Sequence, residues 1–158
     1  MVMPMSVHAQ RLAASGVFDG GNGLRVIVYD TTITLPRTVD ANSSSRWPGA
    51  KGRKDMVAFG HGMYHAYSPG HRLERARITI TLRVCRHGGG RLRAYSAYRP
   101  TDGDNLLRSC KGLIDGIVRA GLLRDDSDDY LEHGTPQLVT VDTPFEEGLL
   151  VKIEELTK

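Results

Sequence analysis

The chain has 158 residues, 40% of them hydrophobic and 25% charged, with a formal net charge of +3. That length carries one domain with its own core and no need of disulfide or metal staples, and no apolar run approaches the ~20 residues that cross a bilayer. The opening MVMPMSVHAQRLAAS lacks a basic segment followed by an unbroken apolar stretch, so it does not read as a signal peptide.

Residues 1–23 show no clear period and end in GVFDGGNG, which reads as a flexible N-terminal arm ahead of a domain spanning 24–158. Leu24 to Leu35 is β-branched and aromatic, the composition of a strand, and Pro36 ends it. The following TVDANSSSRWPGAKGRK reads as a polar, basic loop holding the single tryptophan, Trp47, beside Arg46. An aromatic among cations suits a nucleic-acid backbone or base, although a loop tryptophan more often covers core. Asp55 to Ser68 carries a helical stripe in Met56, Phe59, Met63 and Tyr67, weakened by Gly60 and Gly62. His61 and His65 lie one turn apart, but Gly62 stands where a zinc peptidase helix needs glutamate, so they read as surface histidines.

Ala76 to Cys85 alternates strictly and is the clearest strand; HGGG at His87–Gly90 then turns it into Arg91–Tyr98 as an antiparallel hairpin. Asp128–His133 suggests a short strand, and Gln137–Asp142 with Leu149–Glu154 a closing antiparallel pair. The expected architecture is α+β, a mixed β-sheet packed with two main helices in one domain. Cys85 and Cys110 sit on apolar-patterned segments without metal-like spacing and read as buried, reduced thiols of a cytosolic protein.

Between them lies the stretch that organises the chain, Thr101 to Asp129. Leu106, Leu107, Cys110, Leu113, Ile114, Ile117, Val118 and Gly121 recur at helical spacing as a buried stripe, and Asp104, Arg108, Lys111 and Asp115 mark the exposed side. Gly121 suits the turn that ends such a helix. Carboxylates gather at both ends: Asp102 and Asp104 before it, Asp125, Asp126, Asp128 and Asp129 after it. If the chain folds back, several carboxylates converge, and hard divalent cations are the usual counter-ions. A capped helix followed by a solvated acidic turn explains the same spacing.

Charge is unevenly spread. Arg46, Lys51, Arg53, Lys54, Arg72, Arg75, Arg77, Arg83, Arg86, Arg91, Arg93 and Arg99 face only Asp55 and Glu74 in the middle of the chain. From Pro100 onward acidic residues predominate. A basic half beside an acidic centre fits a metal-dependent nuclease, with cations on phosphates and carboxylates on metal.

The DGDN at Asp102–Asn105, a basic residue on the following helix and LIDGIVRAGLLRDD at Leu113–Asp126 together resemble the RusA family of Holliday-junction resolvases. An opening strand ending in proline, a loop with Asn42, Arg46 and Trp47, and a basic helix are also similar. The likeness covers roughly Leu24 onward and is specific over Arg99–Asp129. It implies a RusA-like single domain and a homodimeric endodeoxyribonuclease that nicks four-way DNA junctions symmetrically, using Mg²⁺ with Mn²⁺ as a substitute. By position, Asp102, Asp104 and Asp126 would be the metal-binding catalytic acids and Asp125 an auxiliary ligand. Lys111 would take the family lysine's place when aligned from the helix's C-terminal half, and Arg108 when counted from Asp104. Arg46, Trp47, Lys51, Arg53, Lys54, Arg99 and Arg108 would contact DNA. The resemblance implies a cytoplasmic setting, in a bacterium or a phage-infected cell. A nuclease for flaps, forks or RNA, and a branched-DNA-binding protein that does not cut, remain the other readings.

Overall fold

The computed structural model of the protein describes residues 15–31, 46–85, 103–143 and 146–157. Its elements in chain order are β1 (Gly16–Asp19), β2 (Arg25–Thr31), α1 (Arg46–Tyr67), β3 (Ala76–Cys85), α2 (Gly103–Ser109), α3 (Lys111–Ala120), β4 (Leu131–His133), β5 (Gln137–Val141) and β6 (Gly148–Glu155). The six strands make one mixed sheet in the order β1-β2-β6-β3-β4, with β5 also paired to β3. This is the expected α+β arrangement.

Alternation decides which side of the sheet is buried. Register aligns Ile27, Ile153 and Ile78 in one row, Tyr29, Val151 and Ile80 in the next, and Leu149 with Leu82 beyond them. All eight side chains are buried and join the helices in one core. Tyr29 keeps its hydroxyl satisfied there through Ser68 Oγ at 2.5 Å, and burial pushes the phenol up to about 12. On the opposite side Arg83 pairs with Asp30 across β6, at a register where β6 presents Gly148 beside Arg83.

Helices α1 and α3 cross with backbone against backbone. A methyl group on Gly60 would stand 2.2 Å from the Leu113 carbonyl oxygen, and one on Gly116 would stand 2.1 Å from that of Val57. Gly60 and Gly116, each poor in helix propensity, are therefore what lets the helices approach so closely, whereas Gly62 faces open space.

Several expectations change. The basic loop before Asp55 is helical from Arg46, so Trp47, Lys51, Arg53 and Lys54 belong to α1. Pro48 falls in the first turn, where its missing N–H costs no helical bond. Residues 16–19 of the expected arm form β1, paired antiparallel with β2, while residues 1–14 lie outside the described residues. The single central helix is two: at Cys110 the backbone takes φ −91° and ψ 1°, and its N–H bonds to both Leu106 and Leu107 carbonyls. The buried stripe nonetheless runs through the break, since Leu106, Cys110, Leu113, Ile114 and Ile117 are all in the core. Burial pushes the Cys110 thiol up to about 12, which keeps it an unreactive core group.

The strand pairings change most. β6 pairs with β3 from Ala76 to Arg83, while β4 and β5 occupy the other edge of β3, both parallel to it. Arg91–Tyr98, the expected hairpin partner of β3, lies outside the described residues. β5 and β6 are not a pair, because β3 lies between them. Among the described residues, no helix is long and apolar enough to cross a membrane.

Candidate functional site

Lys111 opens α3, and Asp115 follows one turn later on the same exposed face. Gly121 ends the helix with φ 124°, a value that side-chain-bearing residues rarely adopt, and its N–H bonds to the Val118 carbonyl at 3.0 Å. Leu122 and Leu123 then bury themselves in the core. The Leu73 N–H donates to the Leu122 carbonyl at 2.7 Å, which pins the reversal to the segment before β3. The chain thus returns along α3, and residues 125–126 come beside the start of the helix.

The acidic turn so delivered does not face the helix's negative end. Asp126 Oδ2 lies 3.5 Å from Lys111 Nζ, and Asp115 Oδ1 lies 3.6 Å from the same ammonium. Asp125 holds the loop by accepting the Asp126 N–H at 2.7 Å. The Lys111 side chain is 67% exposed, and exposed ion pairs contribute only about 0–1 kcal/mol, so stability does not account for this grouping.

The two carboxyls that share Lys111 are unlike. Partial burial holds Asp115 above the ordinary carboxyl range, and its hydrogen bond with Asp126 adds to that against the pull of Lys111. Asp126 feels burial too, but its hydrogen bond with Asp125 and the Lys111 charge outweigh it and hold the group below the ordinary range. Asp126 is the standing carboxylate of the pair, and Asp115 is the one that takes a proton first.

Two clefts meet at this group. The larger, about 610 Å³, runs past Arg72, Arg119 and Arg124. The smaller, about 250 Å³, is walled by Leu107, Ile114, Arg108 and His133. Lys111, Asp115 and Asp126 line both.

Of the residues expected at the site, Lys111, Asp125 and Asp126 are brought together, and Arg108 is exposed on the wall of the smaller cleft. Asp104 is the second residue of α2, one turn before Arg108; its side chain lies outside the described residues. Asp102 and Arg99 lie outside them entirely. Arg46, Trp47, Lys51 and Arg53 have their backbone in α1 and their side chains outside the described set, while Lys54 is exposed. Asp115 is the addition. Its spacing from Lys111 marks it only as a member of the exposed helix face.

Among the described residues, no group of three or more His, Cys, Asp or Glu side chains is arranged to hold a metal ion. The His61 and His65 rings lie tilted by 52°, with centroids 4.5 Å apart, on the exposed side of α1, without a third donor in that set. The donors that do converge, Asp115 and Asp126, supply oxygen alone, which suits Mg²⁺ or Mn²⁺ in kind. Compared with family models, curated proteins and solved structures, the chain matches none.

Proposed function

We propose that the protein is a RusA-like, Mg²⁺-dependent endodeoxyribonuclease that resolves four-way DNA junctions by paired nicks. The observation that supports it is the Lys111 ammonium held between Asp115 and Asp126 where two clefts meet. A compact cation against carboxylates, exposed and of little use to stability, is what a phosphodiester site requires.

Asp126, Asp102 and Asp104 would hold the metal, with Asp125 as an auxiliary ligand. When bound, the divalent ion would supply Lewis acidity toward the phosphate and a water of lowered pKa. Lys111 would neutralise charge developing on the non-bridging oxygens of the scissile phosphate. Asp115 would hold Lys111 on its helical face, and its reluctance to ionise leaves Asp126 the stronger cation ligand. Leu122 and Leu123, anchored in the core, fix the loop that carries Asp125 and Asp126. The twofold symmetry of a four-way junction matches a homodimer with one site for each of two opposed strands. Such substrates place the protein in the cytoplasm of a bacterium or phage-infected cell.

The test is cleavage of a labelled synthetic four-way junction beside a linear duplex, a flap and single-stranded RNA, with Mg²⁺ or EDTA. Symmetric nicks on the junction alone, absent in EDTA and abolished by Asp126→Asn, are expected. Cutting of flap or RNA instead would move the substrate and keep the site. Junction binding without cutting would make the protein a branched-DNA binder. Normal cutting by Asp126→Asn would remove the carboxylate from the chemistry.

A further inference from the structure

The arginines divide sharply. On and beside the sheet they are ion-paired: Arg25 with Glu155, Arg75 and Arg77 with Glu132, Arg83 with Asp30. Around the larger cleft they are not. Among the described residues, Arg72, Arg119 and Arg124 make no ion pair, and Arg124 has only the ring of Tyr130 beneath it at 5.9 Å.

The same cleft holds Asp115, Asp125 and Asp126, but Asp115 and Asp126 are turned to Lys111, and only the charge of Arg119 reaches Asp115, so the wall keeps an excess of guanidinium that no ion pair takes up. Arg72 sharpens the point, because its backbone is fixed from three sides while its side chain is left uncommitted. Arg25 donates to the Arg72 carbonyl at 3.0 Å, Tyr64 donates to the His71 carbonyl at 2.9 Å, and Leu73 bonds to Leu122 at 2.7 Å. The last bond ties Arg72 to the same reversal that positions Asp125 and Asp126. A guanidinium carried on so firm a support offers a planar fork suited to phosphate oxygens.

We propose that Arg72, Arg119 and Arg124 form a second phosphate subsite, which grips the backbone phosphate next to the one held at Lys111. The proposal rests on the nuclease reading and assigns a direction to the bound strand. The strand crosses the Lys111 group from one cleft to the other, and its neighbouring phosphate lies on the arginine side. Beyond the shared Lys111, the smaller cleft sets one guanidinium, Arg108, beside Leu107 and Ile114, where the larger sets three. The larger volume, about 610 Å³, falls in the usual range of ligand clefts, about 300–1,000 Å³.

The experiment measures junction binding in Ca²⁺ by fluorescence anisotropy across a salt series, then cleavage in Mg²⁺. Arg72→Gln and Arg119→Gln should each flatten the slope of log affinity against log salt by about one. Each should raise KM while leaving kcat near the wild-type value, as loss of uniform binding does. Arg72→Lys should recover part of the affinity, and Lys152→Gln, on the far side of the sheet, should change nothing. Circular dichroism checks that each variant is folded. A scan of single neutral methylphosphonates along the strand should then find one position beside the nick that weakens wild type but not Arg72→Gln. If both proteins lose equally at every position, or the slopes coincide, the subsite is wrong while the nuclease reading stands. If wild type neither binds nor cuts any junction, both fall together.

Discussion

Helix α3 offers two faces ten residues long, and they are built on opposite terms. The face toward α1 places Gly116 so close to Val57 that no side chain fits, and Leu113 and Ile117 are buried beside it. The outward face carries Lys111 and Asp115 beside a loop of carboxylates and arginines, all at least partly exposed. One face spends its residues on position and the other on charge. The lesson is that a group of exposed charges can be held in place without much help from its own ion pairs, because the backbone beneath it is locked by packing.

The largest effect should come from the packed face. Gly116→Ala forces the helices apart or distorts α3, and overpacking of this kind costs about 3 kcal/mol. Urea unfolding should show the free energy of unfolding lowered by that amount, with an earlier midpoint, and Gly60→Ala should behave alike. A neutral result would mean that the crossing has slack and that the rigid support is not the reason the charges stay in place.

Next comes the exposed face. Lys111→Ala should leave stability within about 0.5 kcal/mol, as exposed positions usually do. Junction cleavage should nonetheless fall about 100-fold, the scale of losing one electrostatic stabiliser of a transition state. Arg108→Ala should lose much less. The reverse order would transfer the lysine's role to Arg108 and shift the reacting phosphate toward the smaller cleft.

The smallest effect sharpens the contrast. Because Asp115 is held above its ordinary range, its contribution to stability is present at low pH and is lost as pH rises through the raised value. Asp126, held below, contributes in the opposite sense, above its ordinary range and less as pH falls through the lowered value. Asp115→Asn at neutral pH should therefore leave stability unchanged or raise it by about 0.5 kcal/mol, read from the melting temperature. Cleavage should fall, since Lys111 loses a partner. A clear loss of stability would show that attraction to Lys111 outweighs burial at Asp115.

Much of this molecule is legible in its sequence where period carries the information. The buried rows of β2, β3 and β6 follow from alternation, and the stripe from Leu106 to Ile117 follows from helical spacing. What is not legible is set by distant partners. Gln137–Asp142 reads as a strand, but nothing in it names its neighbour, so the expected pairing with Leu149–Glu154 gives way to a parallel seat on β3. The first turns of α1 look like a loop because Trp47, Pro48, Gly49 and Gly52 have poor helix propensity, which packing of the later turns overrides. The approach of Asp126 to Lys111 needs Leu122 and Leu123 to be buried and Leu73 to bond Leu122, all contacts between separated segments. Asp115 shares the exposed face with Asp104, Arg108 and Lys111, and only the return of Asp126 to Lys111 distinguishes it.

The position of β6 has a consequence for how the chain comes to be folded. β2 and β3 are both antiparallel to β6 and so parallel to each other, separated by the width of one strand. During synthesis they leave the ribosome well before Gly148–Glu155, and each waits with an open edge for a neighbour not yet made. The middle of the sheet is therefore assembled late, from residues far apart along the chain. A nascent chain that stalls before β6 would hold both halves of its core ajar, open to chaperones and proteases until the central strand arrives.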